Sequence, residues 1–288
     1  MRRRLTEVPI AFFSQGGWFY GITQGLGVRN IALRREQFRL ADKPVFCLDV
    51  ARALVAGKIR NQRTMLQRNH VEPPPVPIAL LKSLAEDAEK ADSLEQLLGI
   101  EGAAARAYFE LLNGMIKVGD DDTATDRKPV EFAFDFTRRN RRPPRDPVNA
   151  LLSLAYSVLA KDLSIVCSAV GFDPFLGFYH QPRFGRAALA LDLMEPFRPL
   201  IADSAVLSVI NTRMTTPRDF IRAGQSVALK PDGRKAFFRA YEQRMDTLVT
   251  HPLFGYRLNY RRMLEIQTRL LARVVTGEMT KYPVFTTR

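Results

Sequence analysis

The segment GFYHQPRFGRAALALDLMEPFRP, residues 177–199, brings three titratable side chains into an apolar setting. His180 follows a Gly/aromatic turn, and Asp192 and Glu195 are three residues apart in a run of Leu, Ala and Met. Side chains at that spacing share one helical face. Pro196, directly after the second carboxylate, indicates that the helix ends or kinks there. The sequence therefore predicts two carboxylates at a helix end and an imidazole beside them.

These groups suit divalent metal chemistry, although each also has a simpler explanation. Two carboxylates and an imidazole form an N/O ligand set that suits Mn²⁺ better than Mg²⁺, and a third carboxylate would help to balance the cation. Glu101 is the obvious candidate. The simpler explanations stay open: His180 as a capping or packing residue, the carboxylate pair as ion-pair partners of Arg198, and Glu101 as a helix-start residue that favours the helix dipole.

The elements that must position these side chains are mostly helical. From about residue 30, apolar side chains recur every three or four residues, and the prolines of 70–77 interrupt this pattern before helix resumes. A helix ending near Gly99 and another beginning near Glu101 would place that carboxylate in a first turn. The chain after 199 predicts a further helix and two amphipathic helices at about 232–249 and 259–276.

One long apolar helix has clear predicted ends. Asp146 followed by Pro147 is an N-cap acceptor before a proline at the first helical position, and Gly171 is a fitting stop. The helix between them carries most of the apolar side chains of this region. We expect it to lie in the protein core.

Strand signals are few. Residues 8–25 alternate aromatic and β-branched side chains about a Gly-Gly turn, which predicts a hairpin, and 220–230 has the pattern of a second short hairpin. This content is too low for an α/β sheet fold. The predicted fold class is mainly α, with a short N-terminal β-hairpin in residues 1–30 followed by a large multi-helix lobe in 31–288.

Composition and charge indicate a globular protein that attracts polyanions. The 288 residues include 43 Lys and Arg against 30 Asp and Glu, a net charge of +13, so nucleic acid is the leading partner. The two cysteines, in apolar helical contexts, predict buried thiols in a reducing cytoplasm. No run approaches the length of a membrane span and no signal-peptide core follows the first residues, so we expect a cytoplasmic protein without membrane contact.

Basic side chains form three groups along the chain, each able to bind DNA phosphates or to be a solvated surface. Such contacts position a nucleic acid without reading its bases. The first group is on a helix, the second precedes the long apolar helix, and the third separates the histidine from the two carboxylates. They comprise Lys58, Arg60 and Arg63; Arg138, Arg139, Arg141, Arg142 and Arg145; and Arg183 and Arg186.

Five segments together resemble one known family. They are LVAGKIRNQRTML (54–66), LLGIEGAAARAYF (97–109), NRRPPRDPVNALLSLAY (140–156), GFDPFLGFYH (171–180) and ALALDLMEPFRPLIAD (188–203). In this order and spacing they are similar to the CRISPR-associated integrase, CRISPR-associated protein one. The resemblance extends over roughly residues 9 to 285.

The resemblance implies a site and a reaction. The metal-binding glutamate, histidine and acidic residue of the family match Glu101, His180 and Glu195, and Asp192 matches a further catalytic position. Mg²⁺ or Mn²⁺ is the implied cofactor. The implied reaction is transesterification, in which the 3′-OH of captured DNA attacks a phosphodiester at the CRISPR repeat, with nuclease activity on branched DNA. The implied partners are double-stranded and branched DNA, a second copy of the chain, and CRISPR-associated protein two.

The chain departs from the family at its N-terminus. Members usually begin with a β-rich domain of several strands, which builds the homodimer that docks on CRISPR-associated protein two, and only about 25 residues here correspond to it. We expect a fragment, the downstream half of a fusion, a wrong start or a shortened form. Two functions follow: an active metal-dependent integrase, or a catalytically silent DNA-binding fragment that lacks its dimerisation domain.

Overall fold

A computed structural model describes residues 10–13, 19–23, 30–117, 131–140 and 143–287. In chain order its helices and strands are β1 (Ile10–Phe13), β2 (Phe19–Thr23), α1 (Ile31–Ala41), α2 (Pro44–Asn69), α3 (Pro75–Lys90), α4 (Leu94–Glu110), α5 (Pro147–Val170), α6 (Ala188–Met194), α7 (Ser204–Asn211), β3 (Phe220–Ala223), β4 (Ser226–Leu229), α8 (Pro231–Met245), β5 (Leu248–Thr250), β6 (Arg257–Asn259) and α9 (Tyr260–Val275). A π-helical turn, Arg198–Asp203, directly precedes α7. The predicted mainly α fold class is confirmed.

Contacts divide the chain into two compact units. The first comprises the described residues of Met1–Ala51, Ala160–Met194 and Arg262–Pro283; the second comprises those of Arg52–Leu159, Glu195–Arg261 and Val284–Arg288. The chain passes from one unit to the other within α2, α5 and α9. The boundary at residue 30 suggested by the sequence remains a prediction.

Each unit has its own buried apolar side chains. In the first unit, Leu33 of α1 is fully buried, as are Phe172 and Cys167. In the second, Phe197 stacks on Phe285 with ring centroids 5.9 Å apart and an interplanar angle of 6°. Burial of such side chains removes apolar area from water and is the main term that stabilises each unit.

The N-terminal hairpin is confirmed. β1 and β2 pair antiparallel, with Ile10 opposite Thr23. Residues 14–18, which connect them, lie outside the described part of the chain. The side chain of Phe12 in β1 is 49% exposed. A two-stranded hairpin with an exposed aromatic has little core of its own.

The predicted ends of α5 are correct. Asp146 Oδ1 accepts a hydrogen bond from the Asn149 backbone N–H at 2.8 Å, which is N-cap geometry. Gly171 ends the helix with φ of 114°, in the region that favours glycine. The caps therefore fix where this helix starts and stops.

The same helix corrects the expectation about membrane-length runs. By length and composition, its 24 residues could cross a membrane, with a window of mean hydropathy 1.6. Core helices of soluble proteins pass the same test. Leu151, Ala155, Leu159 and Cys167 along it are fully buried, whereas 39% of the apolar window as a whole is buried.

The predicted break near Gly99 is wrong. α4 runs unbroken from Leu94 to Glu110, and Ser93 caps its N-terminus by accepting a hydrogen bond from Gln96 N at 3.2 Å. Gly99 is an interior helical residue. Glu101 therefore lies in the middle of α4 and not in a first turn, so the helix dipole does not explain it.

The later hairpins were only partly predictable. β3 and β4 form the short hairpin predicted at 220–230. The expected helix at 232–249 ends at Met245, because Leu248–Thr250 pairs with Arg257–Asn259 as a hairpin instead. Val249 and Thr250 are β-branched residues, which favour a strand.

Candidate active site

Asp192 is a buried carboxylate that organises the loop before α6. Its Oδ2 accepts hydrogen bonds from the backbone N–H groups of Phe178 at 2.6 Å and Tyr179 at 3.0 Å, and its Oδ1 accepts one from His180 N at 2.8 Å. A Cβ on Gly177 would lie 2.6 Å from Oδ2, so only glycine permits this approach. Backbone donors therefore compensate the buried charge.

The same carboxylate orients the His180 ring. Oδ1 of Asp192 lies 2.8 Å from His180 Nδ1. Because a carboxylate can only accept, Nδ1 carries the proton and the lone pair of the neutral ring is on Nε2. Metal-binding and proton-accepting histidines have this arrangement. Asp192, whose oxygens accept four hydrogen bonds, is a positioning residue.

A second buried cluster surrounds Lys58 of α2. Its Nζ donates to Glu101 Oε1 and forms an ion pair with Glu195 Oε2 at 2.7 Å, without hydrogen-bond alignment to the latter. Arg198 binds the other oxygen of Glu195 at 2.9 Å. The Glu195 side chain is 2% exposed and that of Glu101 is 19% exposed. Two cations thus neutralise two carboxylates.

The cations of this cluster stay charged. Burial lowers the pKa of Lys58, but the attraction of Glu195 and Glu101 outweighs burial and raises that pKa above its ordinary value. The same holds for Arg198. Burial lowers its pKa, but Glu195 and neighbouring groups outweigh burial, so the pKa is raised above its ordinary value. Glu195 therefore faces permanent positive charge.

Asp203 is a third buried carboxylate, which sequence reasoning did not find. It accepts hydrogen bonds from Tyr108 Oη at 3.0 Å and Tyr156 Oη at 2.7 Å. Burial raises its pKa from 3.8 to about 6, although the tyrosine hydroxyls and Arg198 act in the opposite direction. The signal in the sequence is one aspartate within the apolar run PLIADSAVL.

Tyr156 contacts two arginines and one aspartate. The Arg198 guanidinium lies 4.8 Å from its ring centroid and that of Arg139 lies 5.5 Å away. Its hydroxyl serves Asp203. This tyrosine is therefore part of the protein's interior network.

The four predicted catalytic residues form two pairs. Glu101 and Glu195 face the same Lys58 ammonium in the second unit, while His180 and Asp192 are bonded in the first. As predicted, a helix ends at the carboxylates, since α6 stops at Met194. Across the described residues, no three His, Cys, Asp or Glu side chains are grouped to hold a metal ion.

The donor set nevertheless fits a divalent cation. Two carboxylates already converge on one positive charge, which is the environment that Mg²⁺ or Mn²⁺ requires, and an oriented imidazole is a ligand that Mn²⁺ accepts. The ammonium of Lys58 holds the carboxylates together where a metal would do so. A bound metal would require Lys58 to release at least one of them.

The predicted DNA-binding side chains differ in their surroundings. Lys58 is buried at the carboxylates and not at the surface. Arg139 binds Asn149 Oδ1 at 2.6 Å and Ser153 Oγ at 3.1 Å, so it is engaged inside the protein. Arg141 and Arg142 lie outside the described residues. The exposed members are Arg138, Arg145 and Arg183, and the partly exposed ones are Arg60, Arg63 and Arg186.

The strong positive charge suits a protein that binds nucleic acid, and carboxylates with an oriented histidine are side chains that can hold a divalent metal. Comparison of the sequence with models of protein families identifies one family. The model described as "CRISPR associated protein Cas1" matches residues 4–243. The chain belongs to the Cas1 family.

Curated relatives support this assignment. The chain is 49% identical over 98% of its length to a Cas4 exonuclease/Cas1 endonuclease fusion of Geobacter sulfurreducens, and it covers 50% of that protein. It is 39% identical over 98% of its length to a Cas1 endonuclease of Thermus thermophilus, covering 79% of it. The chain spans about half the length of the fusion relatives it matches.

Solved structures share the fold. A Cas1 protein of Thermotoga maritima matches with a TM-score of 0.76 and 24% identity, covering 97% of this chain and 81% of the other. A chain of a Cas6-RT-Cas1–Cas2 complex matches with a TM-score of 0.79 and 25% identity, covering 98% of this chain and 30% of the other. The helical architecture is therefore that of Cas1 proteins.

Proposed function

We propose that this chain is a metal-dependent DNA integrase of CRISPR adaptation that joins the 3′-OH ends of captured DNA to the repeat by transesterification. The same chemistry with water as the attacking group gives nuclease activity on branched DNA. The observation that carries this proposal is the pair Glu101 and Glu195 facing one cation. The histidine oriented by Asp192 and membership of the Cas1 family support it.

Glu101, Glu195 and His180 would hold Mg²⁺ or Mn²⁺. When bound, such an ion supplies Lewis-acid polarisation of phosphoryl oxygens and stabilises developing negative charge. Carboxylate oxygens and an imidazole nitrogen are suitable donors for it. The assignment of these three side chains to one ion rests on the resemblance of the motifs.

The other side chains act by position and charge. Asp192 binds Nδ1 of His180 and thereby fixes the orientation of the ring. Nε2 would therefore already point in one direction when the metal binds. Arg183 and Arg186, in the loop after His180, would bind backbone phosphates of the DNA strand. Phosphoryl transfer depends mainly on such positioning and on charge neutralisation.

The partners proposed are double-stranded and branched DNA, a second copy of the chain and a Cas2 protein. The net charge of +13 supports DNA. The similarity to a chain of a Cas1–Cas2 complex supports the protein partner. The cytoplasm is the compartment in which these partners meet.

Lys58 favours a second candidate function. An ammonium between the two carboxylates compensates them without any metal. A chain that keeps this arrangement would bind DNA through its positive charge and catalyse nothing. This is the silent DNA-binding fragment that the sequence also allows.

A strand-transfer assay separates the two. Fluorescent branched DNA is incubated with the protein and Mn²⁺, Mg²⁺ or EDTA. The integrase predicts joined product with metal, none with EDTA, and at least 100-fold less product from Glu101→Ala or His180→Ala.

The matched control is Asp232→Ala, which removes a carboxylate that is 88% exposed on α8 and should leave joining unchanged. DNA binding without joining in either metal would support the silent fragment. Joining that survives in both active-site variants would overturn the metal-site assignment.

A further inference from the structure

Phe184 lies at the corner of a tight turn and is fully exposed. Its relative exposure is 110%, against 53% for Phe175, another exposed phenylalanine of the same unit. Arg186 N donates to Arg183 O at 3.0 Å, which closes the turn, and Gly185 has φ of 70° as the third turn position requires. The backbone therefore holds the ring out from the surface.

An aromatic ring held in water has lost the usual benefit of apolar burial. Single exposed apolar residues are common on proteins. Here, however, Phe184 lies in sequence between two arginines, of which Arg183 is exposed and Arg186 is partly exposed. Guanidinium groups bind phosphates, and aromatic faces stack on bases.

The turn lies close in sequence to His180, which is proposed above as a metal ligand. Phe184 is four residues after His180 in the chain, and both belong to the first unit. A base stacked on Phe184 would place its own backbone next to the two arginines. It would thereby fix the path of one DNA strand at the site.

We propose that Phe184 is a stacking residue for an unpaired nucleobase of branched DNA, with Arg183 and Arg186 bound to the flanking phosphates. This inference rests on the proposed function, because it names how that site holds its substrate. Stacking is tolerant of sequence, so the contact selects unpaired bases without reading their identity.

The test measures binding without catalysis. Branched DNA carries 2-aminopurine at the unpaired position next to the junction, and its fluorescence is titrated with protein in EDTA. Stacking on an aromatic ring quenches the probe. Phe184→Leu should abolish the quenching and weaken binding of branched DNA about 10-fold, while binding of blunt duplex stays within 2-fold.

Three further variants make the readout specific. Phe184→Trp should restore both quenching and affinity, because any aromatic face can stack. Phe175→Leu, the control on another exposed ring, should behave as the wild-type chain. Arg183→Gln should lower the salt dependence of binding by about one unit of slope, whereas Phe184→Leu should not.

Quenching and affinity retained in Phe184→Leu would overturn the proposal. A changed sedimentation coefficient of Phe184→Leu without DNA would also overturn it, since the ring would then bind a protein partner. Because this binding assay contains EDTA, its result does not depend on catalysis. Absence of strand transfer in the separate assay with Mn²⁺ or Mg²⁺ would contradict the proposed function and leave the stacking result standing.

Discussion

Asp192 and Glu195 are two buried carboxylates three residues apart, yet they are neutralised in different ways. Backbone N–H groups of residues 178–180 surround the first, while the side chains of Lys58 and Arg198 bind the second. Backbone donors cannot leave without unfolding the loop. Side-chain cations can rotate away, so the metal proposed at this site would replace a partner of the second carboxylate and not of the first.

The largest expected effect comes from Asp192→Asn. The amide keeps one acceptor oxygen and turns a donor toward backbone N–H groups that need acceptors, so we expect a loss of about 4 kcal/mol in the free energy of unfolding. Urea denaturation followed by circular dichroism measures it. A loss below about 1 kcal/mol would mean that these donors do not depend on the carboxylate.

Lys58→Met tests the second carboxylate, Glu195, whose partners are side-chain cations. It leaves Glu101 and Glu195 without the ammonium between them, which should lower the free energy of unfolding by about 3 kcal/mol at pH 7. Mn²⁺ should raise the melting temperature of this variant more than that of the wild-type chain, because the ion no longer competes with an ammonium. Equal shifts in a thermal titration would contradict the competition.

Asp203 adds a third case to the comparison of buried carboxylates, because its hydrogen-bond donors are the neutral hydroxyls of two tyrosines. Its pKa of about 6 in the folded chain exceeds the 3.8 of an unfolded carboxyl, so the folded state binds the proton more tightly. Stability from this group is therefore fully present below pH 3.8 and is lost as pH rises through 6, by up to about 3 kcal/mol.

The measurement is urea unfolding of wild type and Asp203→Asn between pH 4 and 8. The variant, which has no proton to lose, should show a flatter profile over this range. Parallel profiles would mean that Asp203 is not the group responsible.

The smallest effect on stability is expected from His180→Ala. Asp192 keeps its three backbone donors, so the free energy of unfolding should fall by less than about 1.5 kcal/mol, the value of one hydrogen bond. Urea denaturation under the same conditions as for Asp192→Asn gives the comparison. A loss as large as that of Asp192→Asn would mean that the imidazole holds the loop.

Local features of this chain were predictable from sequence, because their causes are local. The Asp146–Pro147 start and the Gly171 end of α5 depend on neighbouring residues only, and the hairpin at 220–230 likewise. Gly99 misled the prediction, since a glycine ends a helix only where the backbone adopts positive φ. Here the helix continues through it.

The partners of the charged side chains were beyond sequence reasoning. Lys58 and Glu101 are 43 residues apart, and nothing in either helix indicates the other. Lys58 therefore looked like a DNA-binding side chain of an exposed helix face. Asp203 was detectable in principle, as a charge in an apolar run, but its tyrosine partners were not.

The two buried thiols have a practical consequence for labelling the protein with a fluorophore in DNA-binding experiments. Burial, with Asp192 nearby, raises the pKa of Cys47 to about 11 and raises that of Cys167 further. Both are free and buried, and the thiolate is the form that reacts with maleimides. A cysteine placed at exposed Asp232 would therefore accept a fluorophore selectively, with both native cysteines left in place.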